Sequence, residues 1–136
     1  MSQWDPDDED VVDELPAPPR KSIPDADREL LHLAARAIGA VHVDDVEGEQ
    51  WLSLHFADSP VTHGWNALLF YSDTFELQVR LHLSVEVSRR AAIAWVRPQP
   101  GAKLIDCTEE INGDDAAATA RAVVRAAAEI GKHLLE

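Results

Sequence analysis

The chain has 136 residues, of which 46% are hydrophobic and 27% charged, and its net charge is −13. That length suits one ordinary domain with a real core and leaves no room for two. So acidic a balance disfavours direct binding to nucleic-acid backbone or to an anionic membrane, since both need a positive surface. A single cysteine, Cys107, excludes an internal disulfide and a cysteine-built zinc site. The opening Met-Ser-Gln-Trp-Asp-Pro-Asp-Asp has neither a basic start nor an apolar core, so no signal peptide is expected. No apolar run approaches the roughly 18 residues that span a membrane. A cytosolic protein is the expectation.

Residues 1–24 read as a disordered acidic arm. Seven carboxylates stand there against Arg20 and Lys21, a local charge of −5 that leaves −8 on the remainder. Pro6, Pro16, Pro18, Pro19 and Pro24 deny the arm regular hydrogen bonding. Trp4, Val11, Val12 and Leu15 are its apolar exceptions and could dock on the domain or on a partner.

A single domain is expected over residues 25–136. The first helix should open at Asp25 as N-cap, with Asp27 and Glu29 in its first turns, and end at Gly39. Leu30, Leu33, Ala34, Ala37 and Ile38 give it one apolar stripe. Two strands follow, over 41–46 and 51–56. In the second, Leu52, Leu54 and Phe56 face one way, and Trp51, Ser53 and His55 the other. Residues 57–72, with Pro60 and Gly64, read as an irregular passage. A second helix opens at Ser72 or Asp73, where Asp73 and Glu76 have capping-box spacing, and runs to about Leu81. Strands are then expected over 83–87 and 92–97, separated by Ser88-Arg89-Arg90, and Leu104-Ile105 pairs briefly at an edge. The last helix runs from Gly113-Asp114-Asp115 to about His133. Ala116, Ala120, Val123, Ala127, Ile130 and Leu134 lie on one face of it, opposite Arg121, Arg125, Glu129 and Lys132. Its many alanines allow a close neighbour. Hairpins alternating with helices predict an α+β fold with an antiparallel four-stranded sheet and three helices, in the order αββαββα.

Several segments together resemble the phage ABA sandwich domain family. Ala34-Ala35 with Gly39 match its first helix, and Trp65, Asn66 and Leu68 its Trp-Asn-Pro-Leu motif. Asp73, Leu77, Val79 and Leu81 match the helix that follows, and Arg121-Ala122 with residues 124–131 match its close. The similarity covers about residues 28–133. Ala67 stands where the family has proline, and Phe70-Tyr71-Ser72 where it has Asp-Asp-Gly. The resemblance implies a three-layer α/β/α sandwich in a phage or prophage setting, and it carries no catalytic residue over.

Few residues suggest chemistry. There is no His-Glu-x-x-His and no compact metal-ligand pair on a predicted helix. His82, Ser84 and Glu86 lie on one strand face, the outer two about 13 Å apart at ~3.3 Å per residue, too far for a triad. His63-Gly64-Trp65-Asn66 is the better candidate, a loop able to line a pocket for a planar ligand. The competing reading has Trp65 plugging the core edge while Asn66 bonds turn backbone. His55 and Trp51 share a strand face and could extend such a pocket. Arg121, Arg125 and Lys132 form a basic stripe that could hold a phosphate, or simply an ordinary solvated helix face. Cys107 has no cationic neighbour in sequence to activate it.

The resulting expectation is a non-catalytic accessory protein, without cofactor or metal, acting in the cytoplasm of a bacterial host. It would bind a host protein, its acidic surface suiting an inhibitor of a nucleic-acid-binding or defence factor. The alternative is a protein that sequesters a nucleotide-like small molecule through His63, Trp65, Asn66, Arg121 and Arg125. Oligomeric state is left open.

Overall fold

A computed structural model describes residues 22–97 and 100–134, except for the side chains of residues 60–63. Within them the helices are α1 (Asp25–Ala37), α2 (Tyr71–Arg80) and α3 (Asp115–Leu134). The strands are β1 (Ala40–Asp45), β2 (Leu52–Phe56), β3 (Ser59–Trp65), β4 (Ser84–Val87), β5 (Ala91–Val96) and β6 (Ile105–Glu110). The order is αβββαβββα. No described helix is long and apolar enough to cross a membrane.

The α+β class holds, but one four-stranded sheet between helices does not. Two three-stranded antiparallel sheets form instead, ordered β1-β2-β3 and β4-β5-β6. The first difference is β3, where an irregular passage was expected. Phe56 pairs with Ser59 across the two residues Ala57 and Asp58, a tight hairpin. Pro60 is tolerated because β3 is an edge strand, where a missing N–H need not break the ladder. Gly64 is tolerated because the Trp51 indole lies against it, within 2.9 Å of where a Cβ would stand. The second difference is β6, a full six-residue strand rather than a brief contact at 104–105. Its acidic sequence, Ile-Asp-Cys-Thr-Glu-Glu, has weak strand propensity, and pairing along all of β5 overrides it.

Two helix entries also differ. Asp25 is the first helical residue of α1 rather than its cap; Pro24 occupies the cap position, with no side-chain cap bond. Helix α2 starts at Tyr71, so Asp73 sits inside its first turn and no capping box forms. By contrast α3 carries a side-chain cap, Asp114 Oδ1 accepting from the Ala117 N–H at 3.0 Å. Gly39 leaves α1 at φ +98°, in the left-handed region that favours glycine. Ile23, just before α1, is buried in the core. The rest of the proposed arm, residues 1–21, lies outside the described residues.

One apolar cluster unites the layers. Leu31, Ala34 and Ala35 of α1 join Leu52, Leu54 and Trp65 of the first sheet and Ala92 and Ala94 of the second. Helix α3 is buried on more than the single face expected, because it lies between α1 and the second sheet. Ala120, Ala122, Val123, Val124, Ala126, Ala127 and Ala128 are all inaccessible or nearly so. Ala116 and Leu134, placed on the buried face by their spacing, are exposed near its two ends. The helices α1 and α3 run parallel, since Asp27 meets Arg121 near their starts and Leu33 meets Gly131 near their ends.

Gly131 is the tightest point. A Cβ there would stand 1.9 Å from the Leu33 carbonyl oxygen. Gly131→Ala should therefore lower the unfolding free energy by at least about 2 kcal/mol, overpacking outweighing alanine's better helix propensity. Urea denaturation reads this directly, and an unchanged midpoint would mean that α1 moves aside at no cost.

Candidate functional site

The Trp65-Asn66 segment leaves β3 and leads into α2. Asn66 is buried and its polar atoms are all engaged. Its Oδ1 accepts from the Leu68 N–H at 2.9 Å, a local turn typical of asparagine. Its Nδ2 donates to the Gln50 carbonyl at 2.6 Å, tying the segment to the β1–β2 connection. Its backbone N–H donates to Asp73 Oδ2 at 3.0 Å. Its carbonyl accepts from the Leu69 and Phe70 N–H groups at 3.1 and 2.7 Å. The buried Thr74 hydroxyl donates to the Ala67 carbonyl. Asp73 is thus a latch between α2 and the turn, a role that its capping-box spacing did not suggest.

Trp65 has no accessible surface and packs among Leu52, Leu54 and Leu31 in the core cluster. Its indole N–H is the buried side-chain polar atom without a hydrogen-bond partner among the described residues. Such an orphan costs about 1–3 kcal/mol, which the burial of so large a ring offsets. Trp65 is therefore a core residue. His63 pairs through its backbone with Leu54 across the β2–β3 ladder; its side chain lies outside the described residues.

The register separates the other candidates. Leu52 lies opposite Trp65, so Trp51 and His55 point to the other face of the first sheet. There the imidazoles of His42 and His55 meet opposite oxygens of Asp44, at 2.7 and 3.0 Å, with the rings edge to face. Asp45, next in β1, holds His32 at 3.0 Å and Arg28 at 3.5 Å. Among the described residues no group of three or more His, Cys, Asp or Glu is arranged to hold a metal ion.

The basic stripe is divided. Arg121 reaches back to Asp27 of α1 at 3.0 Å. Arg125, one turn later, turns the other way and bonds Glu109 and the Thr108 carbonyl of β6. The two guanidinium groups fasten α3 to different neighbours, and Lys132 stays at the surface. Arg121 and Asn66 do line one cavity together, of about 230 Å³, with Gln50, Leu68 and Asp27. Each brings to it a side chain already committed to an internal partner.

A larger groove of about 780 Å³ runs between α3 and the chain entering β6, lined by Leu104, Ile130, Leu134 and Cys107. Burial pushes the Cys107 thiol above its usual range; Arg125 opposes this, while Glu129, Asp106 and Glu109 reinforce it. A neutral buried thiol is a poor nucleophile.

Asp73→Ala should destabilise the fold by about 1–3 kcal/mol, because it leaves the buried Asn66 N–H without its acceptor. Chemical denaturation measures it, and full retention of stability would mean that the turn holds without the latch. A raised folded-state pKa at Cys107 favours the protonated fold, so its contribution is present below the ordinary thiol range and lost as pH climbs through the folded value. Unfolding free energy should therefore fall with alkaline pH, and Cys107→Ala should flatten that part of the slope. Identical slopes would dissociate Cys107 from the alkaline loss.

Comparison with protein-family models, curated proteins and solved structures gives no match to this chain.

Proposed function

We propose that the chain is a non-catalytic accessory protein that binds a basic host protein, in the phage or prophage setting that the sequence resemblance implies. The observation that carries this reading is the open face of the second sheet. Residues directly opposite one another in antiparallel strands share a face. Val85, Ala94 and Cys107 are one such row, and Val87, Ala92 and Glu109 another, on the side that α3 covers. The other face holds Ile93 and Trp95 on the central strand, both partly exposed. Glu86 of β4 flanks Ile93, Asp106 of β6 flanks Trp95, and Glu110 follows beside Ala91. Every charge in this paired register is negative.

An aromatic and an aliphatic side chain flanked by Glu86, Asp106 and Glu110 suit a partner whose apolar centre is rimmed by lysine or arginine. Tryptophan is among the residues that dominate binding energy at protein interfaces, and peripheral charges steer association. The negative charge of these carboxylates would also favour a partner whose basic surface otherwise meets nucleic acid. The nucleotide-like ligand reading has less support, because Asn66, Arg121 and Arg125 spend their hydrogen-bonding groups inside the fold.

The test is capture of host protein by the full chain, by Trp95→Ala, and by a triple variant Glu86→Gln, Asp106→Asn, Glu110→Gln. Wild type should capture a basic protein, and Trp95→Ala should weaken binding at least about 30-fold, or roughly 2 kcal/mol. The triple variant should lose the salt dependence, which for wild type should be steep up to about 0.5 M, where screening lengths are a few Å. Capture indifferent to both variants and to salt would overturn the proposal.

A further inference from the structure

We infer that the chain associates with a second copy of itself through the outer face of α2. The helix buries Thr74 and Leu77 against the body of the protein. Its opposite side carries Tyr71, Phe75 and Val79, at 50%, 64% and 54% exposure, in a single i, i+4, i+8 stripe. Such a stripe is about 12 Å long at 1.5 Å per residue. Phe70 precedes it in the turn, and Val87 of β4 adds to its flank. Five of the nine exposed large hydrophobic residues among those described lie in this one region. Scattered exposed apolar residues are ordinary, but a contiguous patch marks a contact surface.

The shape of the face favours a second copy. Beside the stripe runs a groove of about 410 Å³, lined by Ala116, Thr119 and Ala120 of α3 and by Phe75 and Val87, with Asp115 its one carboxylate. A two-fold axis through the stripe brings the same face of each copy against the other, as an isologous interface requires. With that axis near Phe75, the two Phe75 rings meet and Tyr71 of each copy lies towards Val79 of its partner. Apolar then meets apolar along the whole stripe.

Size and charge agree. Half-exposed rings of the 150–250 Å² class, with the two aliphatic side chains Val79 and Val87, offer on the order of 500 Å² of apolar surface. A standard interface buries about 800 Å² per partner, of which some 65% is apolar in homodimers, or about the same 500 Å². Two acidic molecules repel, so they can meet only where charge is sparse. On α2 the charges at the stripe's edge, Glu76 and Arg80, neutralise each other at 3.3 Å.

The test uses the full chain at high micromolar concentration. Light scattering coupled to gel filtration should give twice the monomer mass for wild type and the monomer mass for Phe75→Glu, a weakening of at least about 100-fold. In a Cys107→Ser background, Phe75→Cys should oxidise to a covalent dimer far faster than Val41→Cys, an exposed position on β1. The cysteine pair decides the matter even where Phe75→Glu does not fold. A monomeric wild type, a dimer that survives Phe75→Glu, or equal cross-linking at positions 75 and 41 would each overturn the inference.

Discussion

The fold depends on how closely α3 can approach its neighbours. At Gly131 the backbone of α3 comes so near the Leu33 carbonyl that no side chain fits between them. On its other sides, alanines at positions 92 and 94 of β5 face alanines and valines of the helix. Small residues on both surfaces let dispersion contacts form between backbones rather than between long side chains. The arrangement has little slack, because a layer set by methyl groups cannot absorb one more carbon by changing rotamer. The two arginines of α3 complete the positioning, Arg121 holding α1 and Arg125 holding the edge of the second sheet.

That architecture explains which parts were legible in the sequence. Helices α1 and α3, the β1–β2 hairpin and the alternation of Leu52 and Leu54 follow from periodicity, since each buries a defined face. The Ser88-Arg89-Arg90 turn was readable too, and Ser88 Oγ accepts from the Arg90 and Ala91 N–H groups there. Strand β3 was hidden because Pro60 and Gly64 ordinarily interrupt strands; an edge position and the Trp51 indole remove both objections. Strand β6 was hidden because its apolar members, Ile105 and Cys107, are few and its remainder is polar. The burial of α3 beyond its one apolar face was not legible, since alanine is at home on either kind of surface.

The Trp65-Asn66 turn is a conspicuous motif whose asparagine is fully engaged within the fold. An aromatic beside an amide invites a ligand when the amide is free. Here both amide atoms, the backbone N–H and the carbonyl serve the turn, and Trp65 faces inwards. The register decided this: one residue of slippage in β3 would have put Trp65 on the solvent face and opened the pocket. What sequence reasoning missed was on the surfaces. The Tyr71, Phe75 and Val79 stripe was visible as spacing, but α2 is short and apolar on two sides, so spacing could not tell which side the core would take. The face of Ile93 and Trp95 required knowing that α3 covers the second sheet on one side only.

The two proposed surfaces place opposite demands on the same charge. Binding of a basic partner to the carboxylate-rimmed sheet face gains from the acidity of the whole molecule, through long-range steering. Association of two copies through α2 works against that acidity, since each copy brings the same net negative charge. Screening therefore acts in opposite directions, weakening the partner contact and easing the contact between copies as salt rises. The surfaces do not compete for space, because α2 lies beside the covered side of the second sheet, with Val87 at the boundary. A dimer would present two sheet faces to a basic partner, and a partner bearing two matching sites would bind such a pair more tightly than one face alone. The charge that opposes self-association would then be offset by the partner's own positive charge. Assembly of copies and capture of the partner would reinforce each other even though each α2 contact remains modest.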